Sequence, residues 1–248
     1  LPRNPVGTVV ALADKLETLV GMFGIGQIPT GDRDPFALRR HALGVIRMLA
    51  ENDLDLPLDK LLQTAAAPFA AVDGFKAAES ALADFIYDRL AGSLREQGYT
   101  AQEVDAVVSQ RPQRLGDIPK RLAAVRTFAA LPESASLAAA NKRVGNILKK
   151  VEGEVAAKID PALLSEAAEI ALNNALTAVK PQADSAFAAG DYTGSLQALA
   201  ALKEPVDSFF NDVMVNAEDP ALRANRLGLL ATLHLAMNQV ADISKLSA

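Results

Sequence analysis

ADKLETLVGMFGIGQIPTGDRDPFALRR, residues 13–40, reads as the end of one amphipathic helix, a short loop and the start of a second helix. Gly24, Gly26 and Gly31 give the backbone freedom for sharp turns, and Pro29 fixes φ. Asp34-Pro35 has the form of an N-cap followed by proline at the first helical position. Upstream, Val9, Leu12, Leu16, Leu19, Val20 and Phe23 make a broad apolar stripe over Thr8 to Phe23. Downstream, Phe36, Leu38, Leu43, Ile46 and Leu49 recur at helical spacing. Arg39, Arg40 and Arg47 fall largely off that second face, either as solvated residues of a helical hairpin or as contacts to a phosphate or a partner.

The helical period continues to the end of the chain. Leu58 to Phe69 makes a short helix after Pro57, and Gly74 to Gln97 a long one with Leu82, Phe85, Ile86 and Leu90 on its apolar face and Gly98 at its end. Thr100 and Glu103 match a capping box, opening a helix that Pro112 closes. Helices follow over Asp117 to Ala130 and Ser134 to Lys150, the latter with Val144, Ile147, Leu148 and Val151 facing inward. A long segment after Pro161 is expected to break at Pro181. Asp191 caps a helix through Leu202, and Lys203 to Val213 continues it. Asp219-Pro220 repeats the cap-plus-proline start, with Leu222, Leu229, Leu233, Met237, Val240 and Ile243 at coiled-coil-like spacing. No run alternates as a strand would. The expected fold is all-α, in two packed helical bundles divided at residues 1–110 and 111–248, where Gly98, Pro112 and Gly116 punctuate the pattern.

Composition agrees. The 248 residues suffice for a substantial core, and a chain half hydrophobic yet only 5% aromatic, with alanine prominent, favours close helix-on-helix packing. No apolar run approaches the roughly 18 residues of a membrane span, and no signal-peptide pattern opens the chain. With no cysteine there is no disulfide and no thiolate metal site, so a cytoplasmic protein without membrane contact is expected. Leu1 in place of methionine suggests a piece of something longer. The net charge of −5 argues weakly against nucleic acid, but its distribution does not. Between Arg111 and Lys150 nine basic residues face only Asp117 and Glu133, a local balance of +7. A basic segment in an acidic chain suits a localised polyanion-binding face.

Three stretches carry a family resemblance: residues 13–40, AANKRVGNIL at 139–148, and Pro205 to Leu246, which contains DPALRANRLGLLATL. In order and spacing they resemble the beta subunit of the bacterial heterotetrameric glycyl-tRNA synthetase. The last is similar to the DALR-type anticodon-binding bundle also found in arginyl-tRNA synthetase. The resemblance implies that the chain binds tRNA-Gly and joins an alpha subunit. The alpha subunit would carry glycine activation with ATP and Mg. DNA and membranes are not implied as partners. It also implies that the first part is the end of an HD-like region, in which Asp14 stands where a last metal ligand is expected.

The residues themselves supply little catalytic hardware. His41 and His234 lie far apart without ligand-spaced partners, and no HExxH, EF-hand, P-loop or GxSxG sequence occurs. Neither catalytic residues nor a metal site nor a resident cofactor is expected. A lone Asp14 cannot hold a catalytic cation, and it reads as a cap or salt-bridge residue. The expected RNA contacts are Lys142, Arg143, Asn146, Lys149 and Lys150, which lie within about two helical turns, and Arg223, Asn225 and Arg226 near the C-terminus. Lysine and arginine supply the phosphate attraction, asparagine can pair with unstacked base edges, and arginine can stack on splayed bases. Two rival readings remain open: the end of an HD-type metal-dependent phosphohydrolase, and a helical scaffold whose basic face binds an acidic protein.

Overall fold

The computed structural model describes residues 1–247. It is all-α, with no β-strand among the described residues. The helices gather into two compact units, one of Leu1–Val104 with Arg111–Pro119, the other of Asp105–Gln110 with the chain from Lys120 onward.

In the first unit α1 (Pro5–Gly24), α2 (Leu38–Glu51), α3 (Leu58–Ala66) and α4 (Glu79–Glu96) pack through Leu19, Phe23, Val45, Leu49, Leu62, Ile86 and Leu90, all buried. Each such side chain contributes roughly 1.5–3 kcal/mol by leaving water. Asn4 caps α1, its Oδ1 accepting from the Gly7 N–H at 2.7 Å, with Pro5 at the first helical position. The cap expected at Asp34-Pro35 differs in detail, because α2 begins at Leu38. The Asp34 carbonyl closes a tight turn by accepting from Ala37 N–H at 3.1 Å, with Ala37 at φ 54°. The Asp34 carboxylate then reaches over that turn to the N–H groups of Leu38 and Arg39 at 2.7 and 3.0 Å. Capping chemistry is kept, but the turn makes Leu38 the first core residue and leaves Phe36 exposed. Gly26 and Gly31 have the positive φ that their position requires. Gly24 is needed for room instead: a Cβ there would sit 1.9 Å from the Phe75 ring.

Tyr87, buried on α4, donates its hydroxyl to the Pro112 carbonyl at 2.9 Å. Burial pushes its phenol up to about 12, Asp59 adding to this and Arg111 opposing it. The unfolded chain ionises this group near 10, so base favours unfolding first. Stability of this unit is expected to be unaffected below that pH and to fall as pH rises to about 12, while Tyr87→Phe lacks this alkaline loss. Urea titrations at several alkaline pH values measure it.

α5 (Ala101–Val108) carries the expected capping box: Thr100 N–H donates to Glu103 at 2.8 Å and Glu103 N–H to the Thr100 hydroxyl at 3.2 Å. The second unit then comprises α6 (Ile118–Ala129) from Lys120 onward, α7 (Ser134–Lys149), α8 (Ala167–Ala188), α9 (Tyr192–Ala198), α10 (Lys203–Asp212) and α11 (Pro220–Met237). The break expected at Pro181 does not occur, for α8 runs through it. Pro181 is exposed, whereas Leu172, Leu176, Val179 and Ala183 are buried on either side of it against α9 and α10. Their burial offsets the roughly 3 kcal/mol that an interior proline costs. The coiled-coil-like seam at the C-terminus is corrected too. α11 is buried on nearly all sides from Asn225 to Ala231 and stops at Met237, so Val240 and Ile243 enter the core from the segment that follows. Gly228 admits no side chain, because a Cβ would lie 2.1 Å from the Lys158 carbonyl oxygen.

Candidate nucleic-acid interface

α7 is built from small and aliphatic residues on one side and polar ones on the other. Leu137, Ala138, Asn141 and Val144 are buried, which fixes the helix rotation. Lys142, Arg143, Asn146, Lys149 and Lys150 are then exposed together, within an arc of about 120° at 100° per residue. Lys142, Lys149 and Lys150 have no carboxylate partner among the described residues. The Arg143 guanidinium lies over the Phe210 ring, 4.2 Å from its centroid. Phe210 meets buried Phe209 edge-on at 5.5 Å and 81°.

Polar contacts lock α7 to the end of α11. Asn141 and Asn238 exchange two amide hydrogen bonds at 2.9 and 3.0 Å, and Asn238 also donates to the His234 carbonyl at 2.7 Å. Arg121 donates to the carbonyls of Gln239 and Val240 at 3.3 and 2.7 Å, with its guanidinium near the rings of Phe187 and Tyr192. A cation there suits the negative end of α11. His234 faces Gly145, where a Cβ would stand 3.5 Å from Nε2. Burial pushes its imidazole below the usual 6.5, Lys149 adds to the effect and Asp242 opposes it. A neutral imidazole thus borders the basic arc at neutral pH.

Two of the expected contacts leave the surface. Arg226 is 5% exposed and donates Nε to Glu169, Nη1 to the Met214 carbonyl at 2.7 Å and Nη2 to Glu166 at 3.0 Å. Asn225 is also buried, accepting from Asp160 N–H at 2.7 Å and donating to the Asp160 carbonyl at 3.1 Å. Both are internal braces, because the helix carrying them is enclosed by its neighbours. Glu169, with no exposure, also accepts from Ser165 and Glu166 N–H groups at 3.0 and 2.9 Å. Burial works against its charge, but these hydrogen bonds and that from Arg226 prevail and hold its carboxyl below the usual range. Arg223 remains exposed, about 16 Å along the α11 axis from His234.

The +7 segment is also less free than its count. Arg111 pairs with Asp84 at 2.7 Å and lies over Tyr87, while Arg114 pairs with Asp53 at 3.0 Å and lies 3.6 Å from Asp55 and Asp117. Arg39 donates to the Gly31 carbonyl and Arg47 pairs with Glu51 at 2.7 Å, so both are used locally. Asp14 is neither a cap nor part of a salt bridge among the described residues: it is an exposed residue inside α1 whose carbonyl also accepts from Thr18 Oγ1 at 2.9 Å. Among the described residues no three His, Cys, Asp or Glu side chains are placed to hold a metal. What sequence reading missed is Phe210 under Arg143 and His234 against Gly145, both of which need the tertiary packing of α7 on α10 and α11.

Comparison with known proteins supplies the context. Residues 1–109 match the family described as glycyl-tRNA synthetase beta subunit, and residues 137–247 match the DALR anticodon binding domain. The chain is similar along its whole length to glycine–tRNA ligase beta subunits. It is 86% identical over 248 residues to that of Dechloromonas aromatica, 73% over 249 to that of a Janthinobacterium species and 69% over 248 to that of Leptothrix cholodnii. It spans 35%, 35% and 34% of the length of these relatives.

Proposed function

Since the chain belongs to the glycyl-tRNA synthetase beta-subunit family, we propose that it is a tRNA-gripping, non-catalytic part of a glycine–tRNA ligase, working in the cytoplasm. The α7 arc of Lys142, Arg143, Asn146, Lys149 and Lys150 takes the phosphates and loop bases of tRNA-Gly, and Arg223 adds a further phosphate contact. Holding a remote part of the RNA orients its acceptor end for glycylation, so binding energy is spent on position rather than on bond making. ATP and Mg belong to the alpha subunit in this reading. The observation that carries it is the contrast in charge pairing: Arg111, Arg114 and Arg226 are neutralised by carboxylates, and the lysines of α7 have no carboxylate partner among the described residues. The polynucleotide reading is favoured over an acidic protein partner because Asn146 and Arg143, which suit base edges and faces, stand among those lysines.

A partner surface for the alpha subunit is proposed on the first unit. Val6, Val9 and Val10 of α1 are exposed beside a 590 Å³ groove lined by Leu12, Leu16, Leu61 and Phe69, an apolar patch of the kind that subunit contacts cover.

The test of tRNA binding is equilibrium titration of tRNA-Gly at 50 and 200 mM salt, using the intact polypeptide that contains this chain. The affinity should fall by one to two orders of magnitude, as expected for about three or four phosphate contacts. A salt-insensitive affinity would refute the proposal.

A further inference from the structure

Arg143 differs from the cations around it. Lys142, Lys149 and Lys150 are exposed point charges on flexible stems, whereas the Arg143 guanidinium is held over the Phe210 ring at 4.2 Å. Phe210 is half-buried and braced edge-on by the fully buried Phe209. Arg143 itself is exposed and makes no hydrogen bond or ion pair among the described residues. The cation therefore sits over an anchored aromatic ring while its side chain stays exposed to solvent. Asn146 lies one turn further along the same arc, with an amide that can pair with a base edge.

We propose that Arg143, seated on Phe210, is a stacking platform for one unpaired nucleobase of the bound RNA, with Asn146 reading the edge of that base. A phosphate contact would need only charge, which lysine also provides. A stacking contact needs the planar, delocalised cation, and the aromatic seat removes rotamer freedom that the RNA would otherwise have to quench. The base would come from a single-stranded loop, because bases in a duplex offer no free face. This inference rests on the tRNA-binding reading above.

The test compares the wild-type intact polypeptide with Arg143→Lys, using tRNA-Gly transcripts that each carry one abasic position in a single-stranded loop. Arg143→Lys should weaken binding of unmodified tRNA about tenfold, as loss of one base stack does, with the salt slope unchanged. At one loop position the abasic change should cost wild type about tenfold or more and the variant about tenfold less, since the stacking partner of that base is already gone and only the Asn146 contact is left to lose. The melting temperature of the variant should match wild type. Equal affinity of variant and wild type overturns the proposal. So does an equal loss across every abasic transcript, which leaves no single base as the partner of Arg143, or a loss accompanied by a lower melting temperature, which assigns the pair to folding. Failure of wild type to bind tRNA-Gly at all is a separate result that removes the functional reading itself.

Discussion

Arg226→Ala is expected to destabilise the second unit by about 3–5 kcal/mol, the range for breaking a buried ion pair by removing one partner. Arg226 is 5% exposed and joins Glu169, Glu166 and the Met214 carbonyl. Without it the Glu169 carboxylate, with no solvent exposure, keeps only its hydrogen bonds from Ser165 and Glu166. The pH dependence follows from the direction of the Glu169 shift. In the wild-type chain its folded pKa lies below the ordinary 4.5, so its stabilisation is complete above that value and is lost as pH falls through the folded one. In the variant the unpaired buried carboxyl is raised instead, so protonation relieves it, and the deficit should shrink as pH drops toward 4. Urea unfolding at pH 7 and pH 4 measures both. A loss under about 1 kcal/mol at pH 7, or one that grows in acid, would show that the pair is not the brace described here. A double change, Arg226→Met with Glu169→Gln, should cost less than the two single changes summed, since neither charge is then stranded.

Reversing the three lysines of α7 that lack a carboxylate partner among the described residues should have the largest effect on RNA. Lys142→Glu, Lys149→Glu and Lys150→Glu together are expected to lower tRNA-Gly affinity by about a hundredfold or more at 50 mM salt, because three attractions become three repulsions on one face. The folded state should lose no more than about 1–2 kcal/mol, mostly because carboxylates at Lys149 in the last turn and Lys150 at the C-cap of α7 oppose the helix dipole. The gap between variant and wild type should narrow as salt rises and the Debye length contracts from about 10 Å at 0.1 M to about 3 Å at 1 M. The loss should also be similar for every abasic transcript, in contrast to Arg143→Lys. An affinity unchanged by the triple reversal would move the binding face off α7 altogether.

Much of the architecture was legible in the residues because the local signals agree with one another. The Thr100–Glu103 capping box, the Asp219-Pro220 start and the apolar periods of α1, α4 and α7 each describe a helix that the fold uses. Where local rules misled, packing outweighed them. Pro181 should break a helix, yet the stripe through Leu176, Val179 and Ala183 keeps it whole. Asp34-Pro35 should begin one, yet the chain makes a left-handed turn at Ala37 so that Leu38 can enter the core. The candidate site was half legible for the same reason. On α7 rotation is set by its own buried residues, so the exposed arc follows from spacing alone. On α11 nearly every side faces protein, so Asn225 and Arg226 look like surface residues in sequence and are internal braces in space.

The sequence by itself determined the helical class, the places where most helices start and stop, and the grouping of positive side chains on α7, because helix period and capping act over three or four residues. Only the tertiary structure decided which cations stay available. Pairing Arg226 with Glu169, Arg114 with Asp53 and Arg111 with Asp84 joins residues distant along the chain, and so does seating Arg143 on Phe210. Whether a charge is neutralised or presented depends on such neighbours, since electrostatic interaction follows distance in space and the polarity of the surroundings rather than position in the sequence.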